Sequence, residues 1–153
     1  MRISEHAAVS LLTAPIDTTG AAIATDTIDM KYVKDLTIFI TTGAIASGAT
    51  AQAVTLGQAT SSAKAGAKAL EFDYVYVGST TDDTLLKTTV TSDTFNLSAN
   101  SVYAIEVDAS QLDVTNSFTH VYVGISTPGA NASLVSITAV ASTQRYNVST
   151  TLG

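Results

Sequence analysis

A chain of 153 residues with 46% hydrophobic and 13% charged side chains is long enough for one domain with a real core, which excludes a disordered chain. Lys+Arg 7 against Asp+Glu 13 gives a net charge of −6, and the cations are scattered from Arg2 to Arg145. Phosphate and anionic lipid are therefore not expected partners, and the absence of cysteine excludes disulfides, thiolate metal sites and a cysteine nucleophile. Serine and threonine fill roughly a quarter of the sequence, a composition that suits pleated, half-buried strands. No apolar run approaches the length of a membrane span. Residues 7–16 come nearest to a signal peptide, but they follow Glu5 and His6 and are diluted by Ser10 and Thr13, so no cleaved signal is expected.

The first twenty residues carry Ile3, Val9, Leu11, Leu12 and Ile16 without a clean strand period, and Pro15 and Gly20 set them apart. We read residues 1–19 as an N-terminal arm, 20–146 as a β-sandwich domain and 147–153 as a C-terminal tail. The arm either docks on a neighbouring subunit or shell, or covers the edge of its own sandwich.

Strand patterns follow in succession. Residues 23–30 are the first; residues 35–42 set Leu36, Ile38 and Ile40 against Thr37, Phe39 and Thr41. Gly43 and Gly48 bracket a turn, residues 51–56 form a weak strand, and a small-residue loop covers 57–66. Residues 68–77 put Phe72, Tyr74 and Tyr76 opposite Asp73, Val75 and Val77. After a turn with Gly78, Asp82 and Asp83 comes residues 85–91, leading on to Phe95 and Leu97. Tyr103, Ile105 and Val107 then alternate with Ala104, Glu106 and Asp108; Val121, Val123 and Ile125 alternate with His120, Tyr122 and Gly124. Pro128 and Gly129 mark a turn before a last strand over 133–143. About eight strands at this spacing, with no helical periodicity, predict an all-β antiparallel two-sheet sandwich of jelly-roll type. An immunoglobulin-like sandwich is the alternative, without its Cys and Trp marks. The core is expected to hold Leu36, Ile38, Ile40, Ile105, Val107, Val121, Val123 and Ile125.

Candidate chemistry is sparse. His6 and His120 lie far apart, no Gly-x-Ser-x-Gly elbow exists, and His120 is read as a polar rim residue. Glu106 and Asp108 stand about 7 Å apart along one strand face, within reach of a glycosidase pair. An outward charged face is the simpler reading. Asp82-Asp83 and the pair Asp26 and Asp29 lack calcium-loop spacing, and no phosphate-binding loop follows Gly43 or Gly48. We therefore expect no enzyme activity, no cofactor and no metal. Three Asn-x-Ser/Thr matches, at Asn96, Asn131 and Asn147, arise by chance in so hydroxyl-rich a chain. The row Phe72, Tyr74 and Tyr76 is read as core filling, with a binding platform as the alternative. Candidate interface residues are Leu11, Leu12, Ile16, Tyr74 and Tyr76.

Two longer phrases, residues 89–97 running on to 103–113 and residues 120–126 followed by 135–140, stand beside Ile28-Asp29-Met30, residues 66–70 and Arg145-Tyr146. Over roughly residues 20–146 the chain resembles small structural proteins of tailed bacteriophages, of the capsid cement or decoration type. That resemblance implies a virion protein on the capsid exterior, made in the host cytoplasm, with the major capsid protein as partner. It fits a homo-oligomer, dimer or trimer, over a shell symmetry axis. A carbohydrate- or receptor-binding module of a fibre or spike is the alternative function.

Overall fold

Period-two alternation becomes strand in twelve places in the computed structural model, which describes residues 7–81 and 84–141. In chain order they are β1 (Ala8–Asp17), β2 (Ile23–Ala24), β3 (Ile28–Asp29), β4 (Asp35–Ile45), β5 (Ala53–Ala59) and β6 (Lys68–Ala69). β7 (Tyr74–Ser79), β8 (Leu86–Thr89), β9 (Thr94–Asn96), β10 (Ser101–Asp108), β11 (His120–Ile125) and β12 (Ser133–Ala141) follow. No α-helix occurs among the described residues; three short 3-10 turns cover Met30–Tyr32, Ala109–Gln111 and Val114–Asn116.

One sheet has the order β1-β12-β4-β10-β7-β8; the second has β2-β11-β5-β6, with β3 also on β11 and β9 also on β5. All pairings are antiparallel. Counting β2 and β3 as one interrupted strand, β1 pairs with β12, β2/β3 with β11, β4 with β10, and β5 with β9. First with last, second with second-last and so inward is a long hairpin rolled into two sheets, the jelly roll. The segment β6–β8 is an excursion between β5 and β9 that adds two strands, β7 and β8, beyond β10.

The core fills from the inward rows. Leu36, Ile38, Ile40, Ile105, Val107, Val121, Val123 and Ile125 are each no more than 2% exposed, as the alternation predicts. One inward rung, Thr13–Ile137–Ile40–Tyr103–Val77–Leu86, crosses the first sheet from edge to edge. Between the sheets, Phe95 sits 5.1 Å from Tyr103 and 6.1 Å from Phe72, ring centre to ring centre.

Three expectations need correction. Residues 8–17, set apart from the sandwich by the boundary at 19/20, are its edge strand β1, paired with β12, which is the second of the two readings of the arm. Register shifts between Leu11 and Thr13 and again between Thr13 and Ile16 break the alternation, which is why no strand period shows in the sequence. Residues 68–77 are not one strand. Lys68 and Ala69 pair with β5, the chain then crosses to the other sheet, and β7 begins at Tyr74. In the crossing Leu70 and Phe72 are buried, so Phe72 serves the core while Tyr74 and Tyr76 face outward. Residues 23–30 split at Thr25, whose hydroxyl accepts from Val123 N at 3.0 Å in place of a ladder carbonyl. The tail at 147–153, His6, and Asp82-Asp83 lie outside the described residues.

Candidate functional site

The outward surface of the first sheet is defined by register. Leu11 pairs with Thr138, Thr138 with Phe39, Phe39 with Ala104, Ala104 with Tyr76, and Tyr76 with Lys87. One rung of side chains thus spans all six strands and carries no charge until its last member. Leu11 is 61% exposed, Phe39 and Tyr76 are half-buried, and Ala104, between the two rings in the rung, is buried. The neighbouring rung runs Val9–Val140–Thr37–Glu106, and another runs Ser136–Thr41–Val102–Gly78.

Two glycines widen this apolar face. A Cβ at Gly78 would stand 2.8 Å from Leu85 Cδ2 and 3.2 Å from Val102 Cγ1, so a larger residue there would push the Leu85 side chain aside. At Gly43 a Cβ would stand 3.1 Å from Leu134 Cβ. Leu85 and Leu134 remain largely exposed, each on its glycine. The absence of charge has a plain origin: residues 7–16, 36–63 and 114–141 contain no Asp, Glu, Lys or Arg. Those stretches supply β12, β1 up to Asp17, and β4 after Asp35.

Of the candidate interface residues, Leu11 and Tyr76 fall in one rung, and Tyr74 flanks it at 46% exposure. Leu12 points the other way and packs against the core. Ile16 is 49% exposed but lies past the register shifts, beside buried Val135. Phe39, Val102, Leu85 and Leu134 complete the face. Phe39 is visible in the sequence as an apolar residue on the hydroxyl side of its strand; the others have no local signal.

Of the candidate catalytic groups, Asp108 and His120 have hydrogen-bonding neighbours of their own, and Glu106 shares an open depression with Asp108. Glu106 is exposed, and Asp108 and Glu106 border an open depression of about 420 Å³ with Asp35, Thr37 and Gln111. Asp108 caps the 3-10 turn after β10: its Oδ1 accepts from Ser110 N at 2.7 Å, while Gln111 Oε1 accepts from Asp108 N at 2.8 Å. His120 Nδ1 lies 2.9 Å from Thr119 Oγ1. Its cross-strand neighbour Asp29 accepts from Lys31 N instead. Among the described residues no group of three or more His, Cys, Asp or Glu could hold a metal ion.

Three carboxyls are held below the ordinary carboxylate range. Hydrogen bonds from Thr19 do so at Asp17, from Ser110 at Asp108, and from Lys68 and then Asn116 at Asp113. A group whose folded pKa lies below its unfolded value contributes stability present above the unfolded pKa and lost as pH falls through the folded one. The urea midpoint should therefore drop as pH is lowered from about 5 to about 2.5, with the loss starting near the unfolded aspartate value of about 3.9. Asp108→Asn should flatten that fall. A midpoint that does not change over this range would show that these caps do not discriminate the charged form.

The fold and this face define an all-β jelly-roll sandwich with an apolar outer sheet surface. No protein-family model matches the chain, and no curated protein sequence matches it. Among solved structures it is similar to the SPBc2 prophage-derived protein YomS, at 11% identity and TM-score 0.47, over 87% of this chain and 92% of that one. It is also similar to a chain in the structure of infectious bursal disease virus, Gx strain, at 16% identity and TM-score 0.37. That likeness covers 95% of this chain and 35% of the viral one.

Proposed function

We propose that the chain is a non-enzymatic virion protein that binds the outside of a phage capsid and reinforces it through the outer face of its first sheet. The observation that carries the reading is the uncharged rung from Leu11 through Phe39 to Tyr76, flanked by Val102, Leu85 and Leu134. In a chain of net charge −6 the rung from Leu11 to Tyr76 is a place where a partner buries apolar area, with Glu106 and Lys87 at its border. Aromatic residues at the middle of a face are also where binding energy concentrates. The resemblance of residues 20–146 to phage head proteins gives the partner: the major capsid protein of the same virus. A jelly roll whose first strand pairs with its last supplies a stiff platform for that face.

A sugar-binding role has the exposed Tyr74 in its favour. Against it, Lys87 Nζ stands 3.7 Å from the centre of the Tyr74 ring and occupies one of its two faces.

Phe39→Glu puts a charge at the centre of the face while leaving the inward row untouched. Capsids assembled from the major shell protein alone should take up the wild-type chain and lose at least tenfold in affinity for the variant, with circular dichroism unchanged. Undiminished uptake of the variant would remove this face from the contact. Wild-type protein that leaves the shells bare would sink the capsid reading itself.

A further inference from the structure

Among the described residues β1 is the outermost strand of its sheet, joined to β12 on one side only. Such edges offer unpaired backbone groups to any passing strand, and proteins blunt them with Lys, Pro or bulges. The opposite edge is blunted: β8 is four residues long with Lys87 inside it. β1 is blunted only in its second half, by the two register shifts after Leu11 and by Pro15. Residues 8–12 keep regular pairing to Leu11 and carry no charge and no proline, while Val9 is 59% and Leu11 61% exposed.

We propose that a second copy of this chain occupies this edge, by two-fold antiparallel pairing of residues 8–12 centred on Ser10. Charge selects the place. Two chains of −6 repel, and β1 before Asp17, together with all of β12, bears no ionised side chain to oppose the approach. Side-chain parity selects the register. For the outer faces of the two sheets to stay continuous, opposing residues must point the same way, so the dyad must fall on a residue. Centred on Ser10, it sets Val9 against Leu11 of the second copy and Ala8 against its Leu12. The two most exposed apolar side chains of the edge then cover each other twice. The contact is isologous and closes at two copies. The association does not depend on the capsid reading, though it would place two copies of the proposed binding face side by side.

Sedimentation equilibrium of the full chain over about 1–100 µM tests this directly. The expected mass is twice the 15.7 kDa of one chain. The double variant Val9→Lys, Leu11→Lys sets like charges against each other and should sediment as a single chain. Its net charge is −6 + 2 = −4, so association through a mere reduction of repulsion would instead be strengthened. Val9→Glu, Leu11→Glu should also be single, and an equimolar mixture of the two variants should return to paired mass as a heterodimer by native mass spectrometry. That rescue requires both variants to be folded. A single-chain wild type, a three-chain mass, a lysine variant that remains paired, or a mixture that stays unpaired would each overturn the proposal.

Discussion

Replacing Ile105 by Ala should destabilise the domain by about 2–5 kcal/mol, a large share of the roughly 5–15 kcal/mol that holds a domain folded. Ile105 is fully buried at the middle of β10, opposite Ile38 on β4, in a sheet whose facing partner is the inward row of the second sheet. β4 pairs with Ile105 itself and β7 pairs with β10 as far as Ala104, so the backbone is held, the cavity left by the lost atoms cannot readily collapse, and the high end of the range applies. Glu106→Ala, one residue along on the exposed side, should move stability by less than about half a kcal/mol. Urea unfolding of both variants measures the contrast. A shift at Ile105 below about half a kcal/mol would mean that the face of β10 is assigned backwards.

The inward rows were readable because burial on one face of a strand imposes a period of two, and nothing else in the sequence imitates it. Leu36, Ile38 and Ile40 needed no knowledge of their neighbours. The outer rung is a different kind of fact. Leu11, Phe39, Tyr76, Ala104 and Thr138 are spread over the whole chain, and they meet only because of which strands pair and in what register. Gly43 and Gly78 read as turn residues for the same reason: the leucine side chains that lie against them come from other segments. Phe72 shows the limit of alternation itself. It keeps the spacing of Tyr74 and Tyr76, yet the chain changes sheets before Tyr74, so Phe72 is buried while Tyr74 and Tyr76 face outward. β1 was hidden by its own irregularity, and that irregularity protects only part of the edge.

Gln52 gives no signal in the sequence, a single polar residue within the weak strand pattern of residues 51–56, yet its side chain bonds to both sheets. It is 2% exposed. Its Nε2 donates to Thr18 Oγ1 at 3.1 Å and to Ser126 O at 3.2 Å, and its Oε1 accepts from Ser133 Oγ. Thr18 follows β1 and Ser133 opens β12, whereas Gln52 and Ser126 belong to the β5 and β11 ends of the second sheet, so the amide ties the sheets together. Thr18 in turn donates to Ser133 O through both its N at 2.9 Å and its Oγ1 at 3.1 Å. Removing the amide leaves Ser133 Oγ, which is fully buried, without its acceptor, at about 1–3 kcal/mol for each group so stranded. Gln52→Ala adds a cavity to that loss, and we expect about 3–5 kcal/mol in total. Gln52→Leu fills the space and isolates the polar part, so about 2–3 kcal/mol should remain. Adding Ser133→Ala to Gln52→Leu removes one stranded hydroxyl and should recover roughly 1 kcal/mol, a non-additivity that a double-mutant cycle in urea resolves. A Gln52→Leu variant as stable as the wild type would show that the sandwich end is held by its apolar packing and that this buried network adds nothing to it.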